Sequence, residues 1–164
     1  MPKLLKNKKS LQLRLVALDE LSFSYNASNL ADAKGTVDID VQADLSYRQE
    51  GELFTVVVTA RFFYNTNGTE AIEPKSTRLE VAHLTAQLTF HIPEAAQVLE
   101  PTGQPNELRL PTPVAATLVG TAYSTLRGMV FVRFAHTPLH QMPLSLIDPT
   151  VVATGLTPFR IAED

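Results

Sequence analysis

The stretch Val37-Asp38-Ile39-Asp40-Val41-Gln42-Ala43-Asp44-Leu45-Ser46-Tyr47 alternates apolar and polar side chains without a break. A period of two puts Val37, Ile39, Val41, Ala43, Leu45 and Tyr47 on one face and the acids with Gln42 and Ser46 on the other. Such a strand covers a core on one side and meets water on the other, the habit of antiparallel sheets. Downstream, Gln49-Glu50-Gly51 turns the chain at a glycine able to take positive φ, and Leu53 to Tyr64 returns as a second strand of this hairpin. Its middle, Val56-Val57-Val58, and Phe62-Phe63 are apolar on both faces, which predicts cover on both sides. Asn67-Gly68 marks another turn, and a further strand runs from about Ser76 to Ile92.

Upstream, Leu11, Leu13 and Leu15 alternate with Gln12 and Arg14, after which Leu18, Leu21 and Phe23 continue with a change of phase near Ala17. That phase change predicts a bulge or bend in a long strand reaching Tyr25. Residues 26–35, rich in Asn, Ala, Ser and Asp, read as a loop. Taken in chain order with neighbours joined by short connections, the four strands form a meander.

Residues 93–111 read as a Pro-bearing connector, after which the period changes. Thr112 suits an N-cap, Pro113 a first helical position, and no proline recurs until Pro138, so a helix is predicted from about Pro113 to Phe134. One stripe carries Ala115, Leu118, Val119, Ala122, Leu126, Met129 and Val130, yet Val114, Tyr123, Phe131 and Phe134 lie off it, and Arg127 and Arg133 are its only charges. A helix apolar nearly all round needs cover beyond one sheet, and a second subunit supplies it, with Leu118, Ala122, Leu126 and Val130 at the expected oligomer interface. Beyond it, Asp148 is placed to cap a short helix closed by Gly155.

The chain of 164 residues is sized for one domain, expected over 11–156, between a disordered Lys-rich tail at 1–10 and a disordered tail at 157–164. With no cysteine it has no disulfide, thiolate nucleophile or Cys-containing metal site. No window is apolar enough to span a membrane, and no export signal opens the chain, so a cytoplasmic location is expected. Lys3, Lys6, Lys8 and Lys9 stand in the tail; setting them aside leaves ten basic against 17 acidic side chains, an acidic body poorly suited to nucleic acid.

Catalytic constellations are missing. His136 and His140 have the spacing of helical metal ligands, but Pro138 between them breaks the required turn. His83 and His91 share a strand face yet stand about 26 Å apart, too far for one site. Asp38, Asp40 and Asp44 diverge from a strand rather than converging on an ion. No Gly-rich phosphate loop, nucleophile elbow or dinucleotide fingerprint is present, so no enzyme, metal or cofactor is expected, and surplus apolar surface points to binding.

Several segments resemble the bacterial export chaperone SecB and SecB-like proteins. Leu15-Val16-Ala17-Leu18-Asp19-Glu20-Leu21-Ser22-Phe23 is similar to that family's first strand, and Val37-Asp38-Ile39-Asp40-Val41 to its second. Ser124-Thr125-Leu126-Arg127-Gly128 resembles its helix, and His136-Thr137-Pro138-Leu139, Met142-Pro143-Leu144 and Ile147-Asp148-Pro149 resemble the run into its last helix. The resemblance spans about residues 11 to 154, and order and spacing carry it. It implies an α+β fold in which a four-stranded antiparallel sheet is packed by one long helix plus a short C-terminal helix, with dimers joined edge to edge and paired through helices into a homotetramer. It further implies an ATP-independent holdase that takes unfolded polypeptides in apolar grooves, here Val37, Ile39 and Val41 with Leu126 and Met129. The resemblance leaves two uses open, protein export with handover to the translocase motor or a dedicated client such as an antitoxin, and the short, Phe159-Arg160-bearing ending, without the family's long second helix and acidic extension, counts against the handover. A reading from another class is a structural or adaptor subunit whose apolar faces serve only assembly.

Overall fold

The structure is a computed structural model and describes residues 11–26, 28, 36–66, 77–142, 144–156 and 158–160. Strands β1 (Arg14–Tyr25), β2 (Thr36–Arg48), β3 (Leu53–Thr66) and β4 (Thr77–His91) form one antiparallel sheet in the order β1-β4-β3-β2. Only β2, β3 and β4 make the expected meander. β1 pairs with β4, not β2, so both β1 and β2 are edges and their connection runs from one side of the sheet to the other. The residues of 26–35 and the Asn67-Gly68 turn fall almost wholly outside the described residues, as do residues 1–10.

Register explains the alternation. Val37, Ile39, Val41, Ala43, Leu45 and Tyr47 pair with Tyr64, Phe62, Ala60, Val58, Val56 and Phe54, so all twelve share one face. On β4 the same face carries Phe90, Leu88, Ala86, Leu84 and Ala82. β1 joins them with Leu15, Leu18, Glu20, Phe23 and Tyr25, and its register shifts at Val16 and at Leu21 are the bulges behind the phase change.

The opposite face is polar, with hydroxyls and amides beside charged groups such as Asp38, Asp40, Asp44 and Arg61, not the second apolar face expected from Val56-Val57-Val58. Thr59 meets Thr85 at 3.0 Å and Thr55 meets Thr89 at 3.4 Å, while Phe63 is capped by the Arg78 guanidinium 3.8 Å from its ring centroid. Val57 and Phe63 are half-buried there without a covering layer among the described residues.

Helix α1 (Thr112–Arg133) lies on the apolar face over β3 and β4. Pro111 rather than Thr112 is its N-cap, with no side-chain bond there, because Thr112 already belongs to the first turn. Leu118, Ala122, Leu126 and Val130, expected at a subunit interface, are instead buried in the protomer's own core against Phe54, Val58, Phe62, Leu84 and Leu88. A single sheet absorbs the large stripe, since the outward face holds mostly small residues. Thr117, Thr121 and Thr125 there donate their hydroxyls to the carbonyls of Pro113, Thr117 and Thr121, four residues back.

Residues 93–111 are not a plain connector. They hold a 3₁₀ turn at Ala95–Gln97 and the hairpin of β5 (Glu100–Pro101) and β6 (Glu107–Arg109). β7 (Phe159–Arg160) pairs with β6, which overturns a wholly disordered 157–164; residues 161–164 lie outside the described residues. Phe159 is pulled in by rings: its centroid is 5.9 Å from Tyr47 and 6.0 Å from Phe54. Helix α2 (Pro149–Thr154) is capped as expected by Asp148, whose Oδ1 accepts from the Thr150 amide at 2.9 Å. Its Pro149 docks against Gly120, where a Cβ would come within 3.2 Å of the Pro149 ring.

The β2–β3 turn is held from outside. Glu52 has φ of 52°, a conformation costly for a non-glycine residue, and its carbonyl accepts from Ile92 while its carboxylate accepts from the amides of Glu94 and Ala95, each at 3.1 Å. Those charge-assisted bonds cap the 3₁₀ turn and tie the hairpin to the end of β4. Glu52→Ala is expected to cost about 1.5–3 kcal/mol, read as a lower urea midpoint with unchanged slope.

Candidate functional site

α1 covers the middle of the sheet and leaves both edges incompletely roofed. Along β2, the inward row Val37, Ile39, Val41, Ala43, Leu45 and Tyr47 is half-buried throughout, whereas every inward residue of β3 from Phe54 to Tyr64 is buried. The row is therefore the partly covered margin of the apolar face, which we call the β2 trough. β2 pairs on one side only, so its outer backbone N–H and C=O groups are open to another extended chain.

At one end the trough deepens into a cleft of about 390 Å³ between Leu45, the start of α1 at Thr112 and Ala115, Ala153 of α2, and Phe159. Burial pushes the Tyr47 phenol above its ordinary value, helped by the nearby Glu52 carboxylate, so its hydroxyl stays neutral. Tyr47 stacks on Phe54 with centroids 4.6 Å apart, which fixes the wall of that end. On the other flank of α1, burial likewise raises the Tyr123 phenol, opposed by Arg127, and its hydroxyl donates to the Ser145 carbonyl. That bond straps the segment after α1 to the helix.

Val37, Ile39 and Val41 lie together in the β2 trough. Leu126 does not join them: it is fully buried beneath α1. Met129 is half-buried one turn before Arg133, whose guanidinium grips Glu20 of β1 at 2.7 and 2.8 Å, so it belongs to the flank facing β1. Sequence reasoning passed over Leu45, Tyr47, Leu110 and Phe159 at the cleft end. Tyr47 and Leu45 were legible from the same alternation; Phe159 was not, because an isolated aromatic near a chain end carries no period.

Along β1, by contrast, large apolar side chains are exposed: Leu15 at 46%, Leu18 at 47%, Leu21 at 52% and Phe23 at 39%. Leu15, Leu18 and Phe23 share the sheet face that α1 covers over β3 and β4, and Leu21 stands at a bulge, so this edge is greasy. No group of His, Asp and Glu able to hold a metal occurs among the described residues, and His136 and His140 sit on a positive-φ residue and a 3₁₀ turn. No helix among the described residues is long and apolar enough to cross a membrane.

No family model matches the chain. No curated protein matches it either. Among solved structures, the fold superposes on the Mycobacterium tuberculosis SecB-like chaperone Rv1957 in complex with a ChAD peptide from the Rv1956 HigA1 antitoxin, with a TM-score of 0.51 and 12% identity. The match covers 82% of this chain and 90% of that one. The four-stranded antiparallel sheet, long helix and short C-terminal helix of this protein are the SecB-like fold.

Proposed function

We propose that this protein is an ATP-independent, non-enzymatic holdase chaperone that binds non-native polypeptides along the β2 trough and works in the cytoplasm as an oligomer. The observation that carries the reading is the row Val37, Ile39, Val41, Ala43, Leu45 and Tyr47, apolar and only partly covered on an edge strand. An extended segment laid there would pair its backbone with β2 and bury alternate side chains, at about 25 cal/mol per Å² of apolar surface with little demand on sequence. The likeness to a chaperone solved with a peptide supports that use of the fold, and a dedicated client such as an antitoxin is the narrower form of the reading.

Assembly is assigned to other surfaces. The exposed row of β1 is the edge for joining two copies, and the small outward face of α1, Thr117, Thr121, Ser124 and Gly128, is the face on which two such dimers meet as a tetramer. Leu118, Ala122, Leu126 and Val130 have no part in it.

The test is light scattering of a guanidinium-unfolded test protein diluted into buffer with and without this chain. Wild type is expected to suppress scattering, and the double variant Ile39→Thr with Val41→Thr to need about tenfold more protein for the same suppression. Both changes keep β-branching, so melting should move by only a few degrees. Wild type that never slows aggregation would instead favour a structural or adaptor subunit.

A further inference from the structure

Phe159 stands apart from the other buried rings. Every other buried aromatic is carried by β3, β4, α1 or the residue that ends α1, whereas Phe159 is carried by β7, a strand of two residues paired with the three-residue β6. Its ring is nevertheless buried, 5.9 Å from that of Tyr47 and 6.0 Å from that of Phe54. Tyr47 is the last inward residue of the β2 row, so an extended segment of the chain itself lays an aromatic side chain on the trough in the way expected of a client.

The seat is larger than the ring, and the hold on it is slight. Beside Phe159 lies the cleft of about 390 Å³ toward Leu45, Leu110, Ala115 and Ala153, so the ring takes only part of the space at this end. That volume alone falls within the roughly 300–1,000 Å³ in which ligands lodge. Tyr47 and Phe54 stack on each other at 4.6 Å, so the wall stands without a third ring. The strap is tied by two backbone pairings, Glu107 with Arg160 and Leu108 with Phe159, and neither Pro158 nor Phe159 has a polar side chain to anchor it. A segment held by so few bonds opens locally at far lower free energy than the sheet beneath it.

β7 pairs with β6 and not with β2. The outer backbone of β2 therefore stays open along Val37 to Ala43 while the ring is seated, which gives an arriving chain a place to start. Pairing that advances toward Tyr47 then meets the ring and competes with it for the same aromatic wall.

We propose that Phe159 is a displaceable plug: seated, it occupies the Tyr47 end of the β2 trough, and a polypeptide client expels it on binding. Its role rests on the holdase reading, whose site it regulates. A plug seated in about nine molecules of ten weakens the apparent affinity for a client about tenfold, because only the open fraction accepts the client along its full length.

The chain has no tryptophan, so Phe159→Trp places the only one on the plug. Its emission is expected to be blue in the free protein and to move to the red when reduced, carboxymethylated ribonuclease A, an unfolded and tryptophan-free client, is added. By anisotropy, Phe159→Ser should bind the same polypeptide, fluorescein-labelled, about tenfold more tightly than wild type even though its melting falls. Leu126→Ala is the control: it loses core packing without emptying the seat, so it should melt lower yet bind as wild type does. Emission that stays blue with client bound, or Phe159→Ser that binds no more tightly than a wild type that does bind, overturns the plug and leaves the holdase reading standing. A gain shared by Leu126→Ala overturns it too, since general loosening is then the cause. Binding by Phe159→Ser alone supports the plug. If neither wild type nor Phe159→Ser binds, the holdase reading fails and the plug with it.

Discussion

Leu126→Asp is expected to leave no folded protomer at all, rather than to split an oligomer into folded halves. Leu126 is fully buried in a core shared with Leu118, Ala122 and the inward faces of β3 and β4, with no buried polar group among the described residues to receive a charge. An unpaired carboxylate there costs several kcal/mol beyond the lost aliphatic packing, against a total stability of about 5–15 kcal/mol for a typical domain. Leu126→Ala is the milder companion and should cost about 2–5 kcal/mol. Circular dichroism and size exclusion check both. A native-like spectrum with a smaller particle for Leu126→Asp would mean that the residue faces a neighbour after all. Phe131, 63% exposed on the same helix, is the control: Phe131→Ser should move melting little.

Phe134→Ala is expected to cost about 3–5 kcal/mol and to loosen one edge of the sheet as well. Phe134 is fully buried just past the end of α1, and its ring touches three others, Phe23 at 5.6 Å, Tyr25 at 6.1 Å and Phe62 at 5.0 Å. Two of these belong to β1, which Arg133 also tethers, through its pair with Glu20 and with its guanidinium 5.4 Å from the Phe23 ring centroid. That pair is partly exposed and contributes modestly, about 1 kcal/mol or less, so the ring cluster carries most of the attachment. Amide exchange should therefore quicken along β1 before it does along β3 in this variant. Uniform quickening across all four strands would show that β1 is held by its backbone ladder alone.

Much of the site was legible because β-strand chemistry is written locally. The alternation from Val37 to Tyr47 named one face, and the structure puts the same residues on one half-buried row of β2. Asp148 and Gly155 bounded α2 for the same reason: a cap is a contact between near neighbours in sequence. Leu126 was misplaced because helical periodicity says which residues share a stripe but not what the stripe touches. A stripe of large aliphatics looks the same whether its cover is its own sheet or another copy.

The chain's pattern alone decided that four strands and a long helix would form, which residues share a strand face or a helix stripe, and that β1 is interrupted near Ala17, since each depends on side-chain period and local backbone sterics. Only the tertiary structure decided that β1 pairs with β4, that α1 sits over β3 and β4, and that Phe159 closes the trough. Those are choices among distant partners of nearly equal local merit. They are settled by which arrangement buries the most apolar surface at once, and no short window of sequence contains that sum.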